Sequence, residues 1–403
     1  MVTVDKAMVG RRIRALRLSR GLTQVGLADR LHVTGQAISK WEKGYALPDT
    51  AILPALAGIL GTSIDGLLMT QGLAAAAGTS GQDRVRRLPG FTWLPGSILM
   101  GGCVKSCLRF LGISISDAWV SGGYAFILNI SRNVTMAGPE SWPDAGMLDR
   151  LTEDYGGVHE RIQALRRDSA FREAQALAWA KIRSAIDKGL PCFGWELDQP
   201  YWYIINGYDD IGYYFMGPGR EAGAGPKPWT ELGDSAWGVL EVHIIRPGHI
   251  ADNLKTIRDV LVLALEHAGR QASGPDGDLT GSAGYEHWIE AIEAGTGDSH
   301  GLAFNAAFYA RARELAVEFL AEARQRTGDA FPTLFREAIE AYQAVSTALS
   351  DLARLFPLPG NDDWRSDQPC RRAAVGHLRD AMAAEAAGRA VMARLLAAID
   401  RVW

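Results

Sequence analysis

Apolar residues recur at three- and four-residue spacing through residues 8–70, and breaks in this pattern divide it into five short predicted helices. Thr23 and Thr34 precede two of them at N-cap positions, and Gly21, Gly44 and Gly61 follow helices as stop signals. The apolar positions that carry the pattern are Met8, Ile13, Leu16, Leu18, Leu27, Ala28, Leu31, Ile38, Trp41, Ile52, Leu53, Leu56, Leu60, Leu67 and Leu68. The first segment therefore reads as all-α.

The pattern changes after residue 88. A buried helix is predicted at 102–111, ended by Gly112, and a further helix at 159–188. Branched and aromatic runs between turn signals predict strands at 125–130, 192–197, 202–206, 212–216 and 238–245. Helices followed by an antiparallel meander indicate an α+β segment. Helical spacing returns beyond residue 250, with helices predicted at 254–267, 285–294, 304–326, 332–356 and 370–402.

We therefore predict a multidomain protein with four segments. An all-α domain covers 1–70 and a linker rich in Ala, Gly, Ser and Gln covers 71–88. An α+β domain covers 89–250, and a helical region at 251–403 packs on it, dimerises, or does both. Arg84, Arg86 and Arg87 end the linker, where solvation is favoured over contact with phosphate.

Composition places charge and aromatic residues unevenly along the 403 residues. Residues 1–70 carry nine Lys and Arg against five Asp and Glu, whereas the whole chain has a net charge of −4. A basic end on an acidic body indicates that one end meets a polyanion. All but one of the twelve Trp lie beyond residue 90, which suits either a large aromatic core or a small-molecule pocket.

Targeting and redox features point to the cytoplasm. Four cysteines in so long a chain do not form a disulfide framework, and Arg11, Arg12 and Arg14 interrupt any apolar signal core. No run of eighteen apolar residues occurs, so no membrane contact is expected.

Residues 10–69 resemble the helix-turn-helix regulators of the phage-repressor and xenobiotic-response-element type. The matching residues are Gly21-Leu22-Thr23-Gln24, Leu27-Ala28, Val33 to Gly44, Leu47-Pro48-Asp49, Leu56-Ala57 and Ile64 to Leu68. In this family an Arg on the first helix pairs with a Glu at the end of the recognition helix, so the resemblance implies that Arg17 and Glu42 form an internal clamp. Gly26 departs from the family pattern and should weaken its helix by about 1 kcal/mol relative to Ala.

The second helix of such a motif enters the major groove of double-stranded DNA. Gln36 suits adenine, Lys40 guanine or phosphate, and Ala37 a thymine methyl, while Gln24 and Lys43 are placed for phosphate. The full set of predicted DNA-contacting residues is Gln24, Thr34, Gly35, Gln36, Ala37, Ser39, Lys40 and Lys43. Since one such domain reads a short half-site, we expect a homodimer on a palindromic operator.

Residues 90–250 resemble, less specifically, the papain-like domain of bacteriocin-processing peptidases and of the butirosin-biosynthesis acyltransferase. Phe110-Leu111-Gly112 and Gly207-Tyr208-Asp209 carry the likeness. The catalytic positions do not fit, because the nucleophile would fall near Leu99 or Met100, and Tyr201 or Trp202 stands where the family has His. The resemblance therefore implies a papain-like fold that kept its cleft without its Cys–His pair, and no catalytic residue is assigned.

Aromatic and acidic residues along the predicted strands would line this cleft. The candidate ligand-binding residues are Cys103, Trp195, Glu196, Tyr201 and Tyr203. A carboxylate among aromatic rings suits a cationic or amine-bearing ligand, although Glu196 could instead pair with an Arg of the fold. Cys103 and Cys107 share a helix face without a His or Cys at zinc spacing, so we predict neither a metal nor a cofactor.

These features favour a transcriptional regulator, not an enzyme, that binds DNA through its first domain and an unidentified small molecule through the rest. The alternative is a cysteine hydrolase or acyltransferase fused to a DNA-binding domain, with His243 serving Cys103. A C-terminal part that binds another protein is a third reading.

Overall fold

The protein is described here from a computed structural model, which covers residues 6–20, 22–60, 62, 64–68, 85–140, 145–270, 272–273, 277–328 and 330–402. Some predicted features lie outside these ranges, namely Gly21, Gly61 and residues 71–84 of the predicted linker, which include Arg84. The chain forms two compact units, Met1–Trp93 with Glu160–Ile244, and Leu94–His159 with Ile245–Trp403. These units divide the chain differently from the four segments expected from the sequence.

The elements alternate between short helices, strands and long C-terminal helices. In chain order they are α1 (Lys6–Ser19), α2 (Gln24–Leu31), α3 (Gly35–Glu42), α4 (Leu53–Leu60), α5 (Ile64–Leu68), β1 (Arg86–Arg87), α6 (Gly101–Phe110), α7 (Asp117–Ala125), β2 (Asn129–Ile130), α8 (Ala137–Glu140), α9 (Ala145–Asp154), β3 (Tyr155–Leu165), α10 (Phe171–Asp187), β4 (Cys192–Trp195), β5 (Trp202–Tyr208), β6 (Gly212–Met216), β7 (Ala224–Pro228), β8 (Val239–Ile250), α11 (Asn253–Gly269), β9 (Ala272–Ser273), β10 (Asp278–Thr280), α12 (Gly281–Ala294), α13 (Ser299–Arg326), α14 (Pro332–Leu355) and α15 (Gln368–Ile399).

Five short helices at the start of the first unit confirm the prediction for this segment. Thr23 and Thr34 cap α2 and α3, since the hydroxyl of each accepts a hydrogen bond from a backbone N–H three residues on. The helices enclose a small apolar core of Val9, Ile13, Leu16, Leu27, Ala28, Leu31, Ile38, Trp41, Leu56, Ala57, Leu60 and Leu67.

An antiparallel sheet with the strand order β3-β8-β4-β5-β6-β7 follows, which confirms the predicted meander. The strands β4 to β7 pair in chain order through three antiparallel contacts, and Cys192 stands opposite Ile205. β1 pairs with the end of β5, where Arg86 stands opposite Tyr208 and Arg87 opposite Gly207. The last residues of the predicted linker are therefore part of the sheet.

The core of the five helices extends into this sheet. Ile211, in the turn between β5 and β6, is 8% exposed and belongs to the same apolar cluster as Val9 and Ile13. α1 also contacts β7. The helical segment and the sheet of the first unit thus share one buried cluster, which the expected separation by a linker did not anticipate.

Two predicted elements are wrong. Residues 155–165 form the strand β3, where the sequence predicted the first part of a helix at 159–188. Residues 125–130 were predicted as a strand, but α7 runs to Ala125 and only Asn129–Ile130 is extended. A Cβ at Gly122 would lie 2.7 Å from the ring of Phe319, so glycine allows α13 to pack closely on α7. That packing fixes a helix which the local apolar pattern does not predict.

Long helices dominate the second unit, where α14 packs against α13 and α15. Their bounds confirm the predicted C-terminal helices, and α6 confirms the helix predicted at 102–111. A three-stranded sheet, β2-β10-β9, completes the unit. No helix within the described ranges has the length and apolar content to cross a membrane.

The side chain of His267 on α11 is 3% exposed and should make this unit sensitive to acid. Burial lowers its pKa to about 4, helped by the charges of Arg270 and Arg313, while the Leu128 carbonyl and Glu385 act in the opposite direction. An unfolded His titrates near about 6.5, so between these values only the unfolded chain binds the proton. We expect stability to fall as pH drops from about 6.5 to about 4, by about 3 kcal/mol in total.

Urea unfolding of the wild-type protein and of His267→Gln at a series of pH values measures this effect. The variant should show a flatter pH profile over the same window, and His32→Gln, an exposed His on the other unit, should keep the wild-type slope. Equal slopes for wild type and His267→Gln would contradict the assignment.

Candidate functional site

The N-terminus of α3 presents a polar face to solvent. Thr34 has extended backbone angles (φ −84°, ψ 149°), and its hydroxyl accepts from the Ala37 N–H at 3.2 Å. This cap fixes where the helix starts and therefore which residues face outward. Gln36, Lys40 and Lys43 are exposed.

The remaining predicted DNA-contacting residues lie around this face. Gly35, Ala37 and Ser39 on α3 are partly exposed, as is Gln24 at the start of α2. The opposite face of α3 is buried through Ile38 and Trp41. The structure thus brings the predicted residues together on one surface, while their contact with DNA stays a prediction.

A buried ion pair holds α3 against α1, and it confirms the predicted clamp. Arg17 donates from Nε to Glu42 Oε1 at 2.6 Å and from Nη2 to Glu42 Oε2 at 3.0 Å. Its third contact, from Nη1, is to the carbonyl oxygen of Leu22 at 2.7 Å. Both side chains are almost fully buried. This geometry ties the turn before α2, the first helix and the end of α3 into one rigid piece.

Gln24 joins the same group, because its amide nitrogen donates to Glu42 Oε2 at 2.7 Å. An amide nitrogen carries two hydrogens, so this bond orients the side chain and leaves a second N–H for another acceptor. The close approach of α1 and α3 depends on Gly10, where a Cβ would overlap the carbonyl oxygen of Trp41.

The turn between β5 and β6 links the sheet to these helices through Asp209. Its carboxylate accepts from the backbone N–H groups of Ile211 (2.7 Å) and Gly212 (3.0 Å) and from the Tyr214 hydroxyl (2.9 Å). The Arg87 guanidinium lies 4.2 Å from the centre of the Tyr214 ring. This network holds Ile211 in the helical core, a role for Asp209 that its place in the Gly207-Tyr208-Asp209 turn did not predict.

Burial and the neighbouring Asp209 carboxylate raise the pKa of the Tyr214 hydroxyl above its ordinary range, so it remains a donor at physiological pH. The positive charges of Arg87 and Arg12 act in the opposite direction. Arg12 lies on α1, so the charge of that helix acts on the same buried tyrosine that Asp209 holds.

The residues predicted to bind a small molecule fall in different places. Trp195, Glu196, Tyr201 and Tyr203 belong to the first unit, and Cys103 belongs to the second. Tyr203 is fully buried and packs edge-on against Phe215 with ring centres 5.4 Å apart, which makes it part of the core.

Glu196 lies directly after β4 with a left-handed backbone (φ 58°) that is unusual for a residue other than glycine. It is 9% exposed, and Ser235 donates to its carboxylate at 2.6 Å. Its neighbour Trp195 is partly exposed and contacts Trp202. A left-handed backbone in a residue other than glycine is found more often at functional sites than elsewhere.

Cys103 and Cys192 differ from a reactive cysteine in their surroundings. Complete burial raises the pKa of both Cys103 and Cys192 well above the ordinary value, whereas a reactive cysteine needs a lowered one. The His243 ring stacks on Phe193 at 4.4 Å with 5° between the planes, and its Nε2 lies 3.0 Å from a carboxylate oxygen of Glu241. These surroundings are typical of a structural histidine on a strand.

Comparison with known proteins identifies a match in the part of the chain that contains α3. A helix-turn-helix family model matches residues 13–67. The chain is 29% identical over 119 residues to the HTH-type transcriptional activator BcrR of Enterococcus faecalis, a match that covers 30% of this chain and 54% of BcrR.

Two Bacillus subtilis (strain 168) proteins match shorter stretches of the chain. The SPbeta prophage-derived uncharacterized HTH-type transcriptional regulator YonR is 44% identical over 61 residues, which cover 15% of this chain and 56% of YonR. The uncharacterized HTH-type transcriptional regulator YazB is 41% identical over 58 residues, or 14% of this chain and 84% of YazB. The chain spans about half the length of BcrR and of YonR.

Proposed function

We propose, because this chain belongs to the family of helix-turn-helix transcriptional regulators, that α3 binds the major groove of a double-stranded DNA operator. The observation that carries the proposal is the exposed polar face at the capped start of α3, held on a buried core by Arg17 and Glu42. An operator is a short, specific DNA sequence, and its recognition sets where the regulator acts.

Each outward residue of α3 suits a defined group on DNA. Gln36 can bond bidentately to adenine and Lys40 to guanine or phosphate, while Ala37 packs on a thymine methyl. Lys43 and the second amide N–H of Gln24 suit phosphate oxygens. Thr34, Gly35 and Ser39 let the backbone at the start of the helix approach the groove closely.

Selection of binding duplexes from a random DNA library with the full chain tests this proposal. We expect Gln36→Ala to weaken binding to the selected duplex by about 1–3 kcal/mol per half-site and to relax the base preference. The exposed Lys188 is the control, since Lys188→Ala removes a charge from the residue after α10, outside the five N-terminal helices, and should leave the affinity unchanged. No enriched sequence, or equal affinity of Gln36→Ala and wild type, would overturn the proposal.

The rest of the chain, on this proposal, binds a small molecule beside Glu196. The buried carboxylate of Glu196, which directly follows the partly exposed Trp195 in the chain, favours an amine-bearing or otherwise cationic ligand, and a papain-like cleft is part of this hypothesis. Ligand binding would reach the DNA-binding helices through the Asp209 turn and Ile211. A ligand alters DNA affinity only if it binds the two states of this connection unequally.

A thermal-shift screen of amine-bearing metabolites against the full chain, followed by DNA binding with each hit, tests the ligand hypothesis. A hit should lose its stabilising effect in Glu196→Gln and should change operator affinity in the wild type. Stabilisation by none of the compounds, or by hits that ignore Glu196→Gln, would contradict it.

We also propose that two copies bind one operator, because a single α3 reads too few base pairs for useful specificity. Light scattering should give twice the mass of the 43.6 kDa chain, alone or on the selected duplex. A monomer under both conditions would overturn this part.

A further inference from the structure

Val25 is an apolar side chain displayed beside the DNA-binding helix. It is the second residue of α2 and is 63% exposed, although branched aliphatic residues are ordinarily buried. Its flanking positions explain the exposure in part. Gly26 follows it without a side chain, and a Cβ on Gly35 would lie 3.9 Å from Val25 Cγ2. The isopropyl group therefore lies next to the first residue of α3.

The other exposed side chains of α2 and α3 are polar or charged. Gln36 and Lys40 face solvent on α3, and Asp29 and Arg30 are exposed on α2. Among residues 22–44, all of which are described, Val25 is the large hydrophobic side chain that is exposed. A protein partner would favour a wider apolar patch, whereas a single apolar group among polar and charged ones, beside a helix that carries exposed lysine, suits a polyanion that displays isolated methyl groups.

Double-stranded DNA is such a polyanion. The 5-methyl of thymine is the apolar group that the major groove displays, and cytosine lacks it. Gly35, the first residue of α3, has no side chain, so it leaves space next to the start of the helix. The side chain beside that space is Val25.

We propose that Val25 contacts the methyl group of a thymine at the edge of each half-site, which makes Val25 a specificity-determining residue of the operator. This inference rests on the proposed function, because it needs α3 to lie in the major groove. It adds a base preference contributed by α2, a helix that otherwise meets the DNA backbone.

Replacing each thymine of the selected duplex by deoxyuridine, one at a time, tests the inference because only the methyl group is lost. Besides the thymine expected at Ala37, one further position per half-site should respond: with deoxyuridine there, the wild-type protein should bind about fourfold more weakly, the value for one buried methyl-sized group. Val25→Ala should bind the thymine duplex about fourfold or more weakly and should not respond to deoxyuridine at that position. Circular dichroism confirms that the variant is folded.

Val158→Ala is the matched control, since Val158 is also an exposed valine, at 41%, but lies in the second unit. It should keep the wild-type response to deoxyuridine. Two results would overturn the role of Val25 while leaving DNA binding intact. One is a wild-type protein whose affinity is unchanged by every thymine-to-deoxyuridine exchange. The other is a Val25→Ala variant that loses affinity at every position where the wild-type protein does. Failure to enrich any duplex overturns the proposed function and this inference together.

Discussion

Arg313→Met should lower the free energy of unfolding of the second unit by about 3–5 kcal/mol, because it leaves a carboxylate buried without its partner. Arg313 and Glu385 are fully buried in the contact between α13 and α15, with Nη2 2.8 Å from Oε1. Arg313 also donates from Nη1 to the carbonyl oxygens of Ala125 (2.7 Å) and Ile127 (3.0 Å). Burial raises the pKa of Tyr285, whose hydroxyl donates to Glu385 at 2.6 Å. Tyr285 and Arg389, whose Nη1 lies 3.9 Å from Oε1, would remain beside the carboxylate.

Arg311→Met is the matched control on the same helix. Arg311 pairs with Glu314 and Glu318 on the surface, where such pairs contribute about 0–1 kcal/mol. The double variant Arg313→Met/Glu385→Leu should recover much of the lost stability, since apolar side chains then replace both members of the fully buried pair. Urea unfolding followed by circular dichroism measures all three. A loss below about 1 kcal/mol for Arg313→Met would show that the ion pair is not needed.

Arg17→Met should destabilise the DNA-binding helices by about 3–5 kcal/mol and abolish operator binding. The substitution leaves the Glu42 carboxylate in a nearly closed site and removes the donor to Leu22. Gln24 alone would then support Glu42, with one hydrogen bond at 2.7 Å. The start of α2 and the end of α3 lose their shared anchor.

Arg30→Met, which removes an exposed arginine from α2, serves as the control and should stay folded. Arg17→Lys separates charge from geometry, because lysine restores the charge but not the two parallel bonds. We expect it to fall between wild type and Arg17→Met in both melting temperature and DNA affinity. An Arg17→Met protein that binds the selected duplex like wild type would contradict the clamp.

The N-terminal helices were predictable because every local signal there agrees with the packing. Thr23 and Thr34 cap the helices that the apolar spacing predicts, and Arg17 meets Glu42 as the family resemblance implied. Agreement between caps, spacing and core residues is what makes a sequence specify its fold.

The wrong elements are those that distant contacts decide. Residues 159–165 are rich in charged and polar side chains, since β3 is at the edge of its sheet with much of its length partly exposed. Such a strand lacks the strict alternation that identifies a half-buried one. The helix α7 depends on Gly122 fitting against Phe319, about two hundred residues away in the chain.

The candidate site, like the fold, was predictable from the sequence only in part. Gln36 and Lys40 face outward as the motif requires, but the exposed Val25 depends on the absence of side chains at Gly26 and Gly35. The position of Ile211 in the core of the five helices was also not predictable, because the sequence around a turn residue does not indicate which distant residues it packs against. The papain-like arrangement stays a prediction.

Helix-turn-helix domains are usually regarded as interchangeable parts that recombination can attach to any sensor. The insertion of Ile211 into the core of this one restricts such exchange. A different DNA-binding domain joined to this sheet would have to accommodate Ile211 in its own core. A different sheet joined to these five helices would have to supply a side chain of matching shape. The five N-terminal helices and the sheet of the first unit should therefore unfold in a single transition and be retained together in evolution.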